Sequence, residues 1–108
     1  MSYKIIYTDE SVQDLMDIYR YIAINLSAPE TAKKQTDRIM DAINALDELP
    51  LRYKLYEDEP WHSKGLRVLP VDNYLVFYTA TGKEAVAIIR IMYGGRNVEL
   101  HLSNQDDP

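Results

Sequence analysis

Hydrophobic and polar positions alternate in two different rhythms along this chain. Tyr3 to Tyr7, with Ile5 and Ile6 inside it, is a β-branched and aromatic run that predicts a strand, and Thr8-Asp9 offers capping oxygens to a following helix. Val12, Leu15, Met16, Tyr19, Ile22, Ala23 and Leu26 then recur at three- and four-residue steps, which predicts one helix over residues 9 to 26. Ser27-Ala28-Pro29-Glu30 has the form of a capping box: the Ser hydroxyl accepts from the backbone, Glu30 reaches back, and Pro29 suits the first turn. Ala32, Thr36, Ile39, Met40, Ile43 and Leu46 keep helical spacing until Pro50 stops it, so two helices form an antiparallel hairpin.

Residues 51 to 64 follow neither rhythm and read as a long surface loop that includes Trp61, which is expected either to cap the core or to meet a partner. From Gly65 the spacing becomes that of strands: Leu66 to Val71, Tyr74 to Ala80 and Ala85 to Met92, with tight turns at Asp72-Asn73 and Thr81-Gly82-Lys83. The predicted order is β-α-α-β-β-β, an α+β fold in which the helical hairpin packs on one face of an antiparallel sheet of about four strands. Residues 1–103 read as a single domain and 104–108 as a polar tail expected to fray.

With 108 residues the chain can bury roughly two thirds of its unfolded surface, enough for one real core. The absence of Cys removes disulfides, thiolate zinc sites and cysteine nucleophiles, and agrees with a reducing cytoplasm. Apolar runs are too short to span a membrane, and Met1-Ser2-Tyr3-Lys4 reads as the lead into a strand rather than a signal peptide. A net charge of −5 argues against coating nucleic acid by bulk charge. That charge is uneven: residues 1 to 64 hold twelve acids and eight bases, whereas 65 to 103 hold three acids and four bases.

His62 and His101 lie far apart with no carboxylate at metal-ligand spacing, and Glu57-Asp58-Glu59 reads as a solvated run, so neither a metal nor a cofactor is expected. What remains is Arg and Tyr on the strands. Strict alternation puts Ala85, Ala87, Ile89, Ile91 and Tyr93 on one face of the last strand and Val86, Ile88, Arg90 and Met92 on the other. Arg67 shares a face with Leu69 and Val71, and Arg96 follows the glycine pair 94–95. Guanidinium and phenol groups on an open sheet face suit metal-free phosphodiester chemistry, Arg stabilising charge on the phosphorane and Tyr handling a proton. Arg67, Arg90, Tyr93 and Arg96 are therefore candidate catalytic residues, with the plainer alternative that they are ordinary solvent-face and core-edge residues.

The run Leu66-Arg67-Val68-Leu69-Pro70-Val71-Asp72-Asn73-Tyr74-Leu75-Val76-Phe77-Tyr78, followed by Ile88-Ile89-Arg90-Ile91-Met92-Tyr93-Gly94-Gly95-Arg96-Asn97, resembles the C-terminal half of the RelE/ParE superfamily of type II toxin–antitoxin toxins. Asp14-Leu15 with Ile18 to Ala23, and Leu46 to Pro50, resemble that family's helices, and the ParE-like branch is the closer match. The resemblance implies a cytoplasmic growth inhibitor held inactive by a cognate antitoxin that wraps over it. It implies one of two activities: ribosome-dependent mRNA cleavage in the RelE-like branch, or inhibition of DNA gyrase by protein binding in the ParE-like branch. RelE-like enzymes tend to carry Arg after the strand Tyr, where this chain has Leu75, and a second Arg in a stretch where it has Gly95. Loss of one preorganised contact costs a few kcal/mol of transition-state stabilisation. The expectation is thus a gyrase-binding toxin, with an mRNA endonuclease and a non-toxic co-repressor module as alternatives.

Overall fold

Strand β1 (Lys4–Tyr7) runs through Thr8 into helix α1 (Asp9–Arg20) in the computed structural model, which describes residues 2–82, 84–95 and 102. Thr8 caps as expected, its Oγ1 accepting from the Ser11 N–H at 3.2 Å; the same hydroxyl donates to the Ile88 carbonyl at 2.7 Å, so the cap also ties α1 to the sheet. The predicted helix continues to Leu26 by way of a wider π turn at Tyr21–Asn25, closed by the Leu26 N–H on the Tyr21 carbonyl. Ser27 takes a left-handed φ of 52° to turn the chain, which moves it out of the capping position. Helix α2 (Pro29–Asn44) accordingly starts from Ala28 without a side-chain cap, and the capping box does not form.

Strands β2 (Arg67–Val71), β3 (Tyr74–Thr81) and β4 (Ala85–Tyr93) form the expected meander. The sheet order is β1-β4-β3-β2. β1 lies parallel to β4, with Lys4 opposite Ala85 and Tyr7 opposite Ile88, so the sheet is mixed rather than wholly antiparallel. Hydrophobic period fixes which residues face inward but not the direction of a partner strand, and the helical hairpin provides the long crossover that a parallel pair needs.

The helices cover one face. Ile39, Ile43 and Leu46 pack with Leu69, Val71, Val76, Tyr78, Val86, Ile88 and Ile91, and Leu15, Ile18, Ile5 and Tyr7 close the sides. The other face is not open as the strand pattern suggested. Trp61, only 8% exposed, joins Leu66, Phe77, Met92 and Leu102 in a second cluster over it, with Tyr56, Val68, Leu75 and Ile89 around them. The segment read as a surface loop is therefore a cover for half the sheet. It also pairs locally with β2, where the Tyr56 N–H meets the Leu66 carbonyl at 2.7 Å and the Val68 N–H meets that of Lys54 at 3.1 Å. Further along that edge Pro70 occupies the outward position and offers no donor.

Strict alternation on β4 fails at one place. Tyr78 pairs with Ile88 and Phe77 with Arg90, so Ile89 is an extra residue. This bulge sends Val86, Ile88 and Ile91 to the helical side and Ile89 and Met92 to the other. The predicted tail 104–108 and the Lys83 end of the second turn lie outside the described residues.

Candidate functional site

The bulge at Ile89 decides where Arg90 goes. β1 reaches only as far as Ile88, and past it α1 crosses the flank of β4. Asp14, on the inner arc of α1 between Ser11 and Ile18, meets the guanidinium there: Nε donates to Oδ2 at 2.7 Å and Nη2 to Oδ1 at 2.9 Å. Oδ2 also accepts from the Ile91 N–H at 2.8 Å. The pair is largely buried, with side-chain exposures of 18% for Arg90 and 12% for Asp14. The Asp14 hydrogen bond pushes the Arg90 pKa further up, so this side chain is a permanent cation already engaged by a carboxylate.

Arg67 is engaged at the opposite side of the sheet. Its Nη1 donates to the carbonyls of Tyr53 at 2.7 Å and Leu51 at 3.2 Å, holding the turn that follows α2. Opposite Arg67 on β3, the Tyr78 hydroxyl donates to the Pro50 carbonyl at 2.5 Å, and burial pushes its pKa up to about 12. These residues face the helical layer rather than an open face. Tyr93 is half exposed, its ring edge-to-face with Tyr74 at 5.8 Å between centroids. A Cβ at Gly95 would lie 2.6 Å from Cε2 of that half-exposed ring, so a side chain there would make the Tyr93 ring swing aside. Arg96 is outside the described residues. Of the four candidates, the structure brings together Arg90 and Tyr93, while Arg67 lies on the far edge strand.

Arg90 and Tyr93 line a cleft of about 780 Å³ between the hairpin and the end of the meander, shared with Asp14, Asp17, Tyr21, Gln35, Asn73 and Tyr74. None of these six is among the four candidate catalytic residues read from the sequence. One signal for Asp14 was present: an acid on the inner arc of an amphipathic helix needs a cationic partner, and Arg90 is the one Arg inside an apolar strand. A separate surface runs along the outside of α1, where Val12, Met16 and Tyr19, at four- and three-residue steps, are exposed. The tip of the hairpin adds exposed Tyr21, Ile24 and Leu26. Among the described residues, no helix is long and apolar enough to cross a membrane.

A family model described as the ParE toxin of the type II toxin–antitoxin system parDE matches residues 5–98. The fold is shared with the chromosomal ParDE toxin–antitoxin system of P. aeruginosa, at a TM-score of 0.70 and 22% identity over 85% of this chain and 96% of that one. It is also shared with the RelBE2 toxin–antitoxin complex of Mycobacterium tuberculosis (TM-score 0.61, 19% identity, 86% and 99% covered). A mutant of the E. coli toxin RelE in the free state superposes with a TM-score of 0.64 at 9% identity, covering 94% of this chain and 93% of that one. No curated protein matches the sequence.

Proposed function

Because the chain belongs to the ParE toxin family of type II toxin–antitoxin systems, we propose that it is a growth inhibitor neutralised by a cognate antitoxin, and that it acts by binding DNA gyrase rather than by cutting RNA. The observation that carries the choice of target is the engagement of its arginines. A metal-free nuclease needs guanidinium groups free to meet developing charge on a phosphorane. Arg90 is held bidentate by Asp14, and Arg67 is bonded to two backbone carbonyls. Leu75, where a nuclease would carry Arg, packs against the second core.

The antitoxin reading is supported by the P. aeruginosa and M. tuberculosis neighbours, which are a toxin–antitoxin system and a toxin–antitoxin complex, and by the exposed Val12, Met16, Tyr19 stripe on α1. An amphipathic segment laid along that stripe would bury its apolar groups. Purified protein is expected to block gyrase supercoiling at micromolar concentration, and Arg96→Ala is expected to leave that block largely intact. Inertness towards gyrase, with codon-position cuts in translated mRNA seen by primer extension, would replace this reading with the endonuclease. Expression without growth arrest would leave the non-toxic co-repressor.

A further inference from the structure

The turn between α2 and β2 departs twice from what its residues prefer. Leu49 stands at φ 50° and ψ 52°, a left-handed conformation in which an ordinary side chain crowds its own carbonyl, and it does so directly before Pro50, a place that favours extended backbone. Its side chain is also 72% exposed, and Leu51, two positions on, is 55% exposed. Gly or Asn would make the same turn without the strain and without offering leucine to water. The turn is held from inside. Pro50 is fully buried, the Tyr78 hydroxyl bonds its carbonyl, and Arg67 bonds those of Leu51 and Tyr53. The Arg52 N–H closes the turn on the Leu49 carbonyl at 3.3 Å. These bonds fix two exposed leucines on either side of a buried proline as one apolar knuckle. Strain of this kind persists where the surroundings over-determine it, and it gathers where a protein meets a ligand.

Position and charge select the occupant. The 16 residues of α2 span about 24 Å from the hairpin tip to this turn, so the knuckle lies at the opposite end of the helical layer from Tyr21, Ile24 and Leu26. On its β2 side stand the exposed Arg52 and Lys54 and the half-buried Arg67. Among the described residues no carboxylate pairs with these three. The Arg52 guanidinium lies over the Tyr53 ring, 5.0 Å from its centroid, and Arg67 is bonded to uncharged carbonyls, so the charges are not cancelled. Asp47 and Glu48 come before the turn, on its other side. Three cations beside two exposed leucines, on a chain of net charge −5, are complementary to an apolar pocket edged by carboxylates.

We infer that the knuckle of Leu49 and Leu51 is the point at which this toxin docks on its target, gyrase, both leucines entering an apolar pocket whose rim carboxylates pair with Arg52 and Lys54. The inference rests on the gyrase reading and specifies which surface of the toxin meets the target. A turn already fixed in shape loses little freedom on binding, which is what the strained conformation contributes.

The test compares the wild-type chain with three variants in the block of supercoiling by purified gyrase holoenzyme, in thermal unfolding, in molecular mass in solution and in binding to the full-length cognate antitoxin. Leu49→Gly adopts φ 50° without a Cβ, so its melting temperature is expected to be no lower than that of the wild-type chain. Its concentration for half-block of gyrase is nevertheless expected to rise about tenfold, the size of one buried leucine. Leu51→Ser, at an ordinary backbone position, is expected to weaken the block by a similar factor. Lys54→Glu is expected to weaken it several-fold and to flatten its salt dependence. Antitoxin binding should hold in all three. Wild-type potency in both Leu49→Gly and Leu51→Ser would overturn the docking point and leave the gyrase reading in place. With the block retained, loss of antitoxin binding would assign the knuckle to the antitoxin, and a wild-type dimer that Leu49→Gly dissolves would assign it to a second copy; either overturns the inference. A wild-type chain inert towards gyrase would overturn the gyrase reading and the docking point together.

Discussion

Asp14 serves three purposes with one carboxylate: it neutralises Arg90, receives the Ile91 N–H, and closes the flank of β4 below the cleft. Removing it strands a cation that is 18% exposed and an amide that no longer has an acceptor. Asp14→Ala is therefore expected to destabilise the chain by about 3 kcal/mol in urea denaturation, the cost of breaking a buried pair from one side. Adding Arg90→Met should recover a good part of that loss; a double variant as unstable as the single one would show that the carboxylate's bond to Ile91, not the charge, dominates. Tyr78 yields a prediction in pH. Burial raises its folded pKa from 10.0 to about 12, so the folded state holds its proton over a range in which the unfolded chain has lost it. That contribution to stability is fully present below about pH 10 and is lost as pH rises towards 12. Tyr78→Phe should flatten the stability profile between those values, measured by denaturant midpoints, while lowering stability at neutral pH through loss of the bond to Pro50.

At the scale of elements, Trp61 anchors the middle of the segment from Pro50 to Leu66, whose start is held by the bonds from Arg67 and Tyr78. The ring stands edge-on to Tyr56 at 5.6 Å and packs in the cluster with Phe77, Met92 and Leu102. Among the described residues its Nε1 is buried without a hydrogen-bond partner. Trp61→Ala should cost about 3 kcal/mol and loosen the cover over the second face. Trp61→Phe should cost much less, because it keeps most of the apolar volume and deletes the unpaired donor; equal losses in a denaturation series would refute that account. These elements also show what could be read in advance. Both helices, the three-strand meander and the turn at Asp72-Asn73 were legible because each depends on local periodicity or local turn chemistry. The parallel pairing of β1, the role of Trp61 and the Asp14–Arg90 bond were not, since each joins residues far apart in the chain and local pattern carries no record of a distant partner. The bulge at Ile89 misled for a related reason. Its surroundings, Ile88-Ile89-Arg90-Ile91, are apolar on both sides, and a strand buried on both faces has no alternation against which an extra residue would stand out.

Over the whole molecule, two surfaces lie on different sides of α1. The outer stripe of Val12, Met16 and Tyr19 contributes little to the core, since all three are exposed, whereas the cleft on the inner side is built around the Asp14–Arg90 pair. Met16→Glu should therefore change stability by no more than about 0.5 kcal/mol and yet let growth arrest persist when the antitoxin is co-expressed. Full neutralisation of that variant would remove the stripe from the antitoxin interface.

The parallel pairing of β1 with β4 has a consequence in time. Lys4 finds its partner Ala85 only 81 positions later. At bacterial or eukaryotic translation speeds of roughly 5–20 residues per second, the first strand waits about 4–16 s before its neighbour exists. The sheet cannot be completed on a partial chain, and a contact of this separation is slow to form even afterwards. An inhibitor with this topology becomes active only after its synthesis is nearly finished, which gives an antitoxin already present in the cell the first opportunity to meet it.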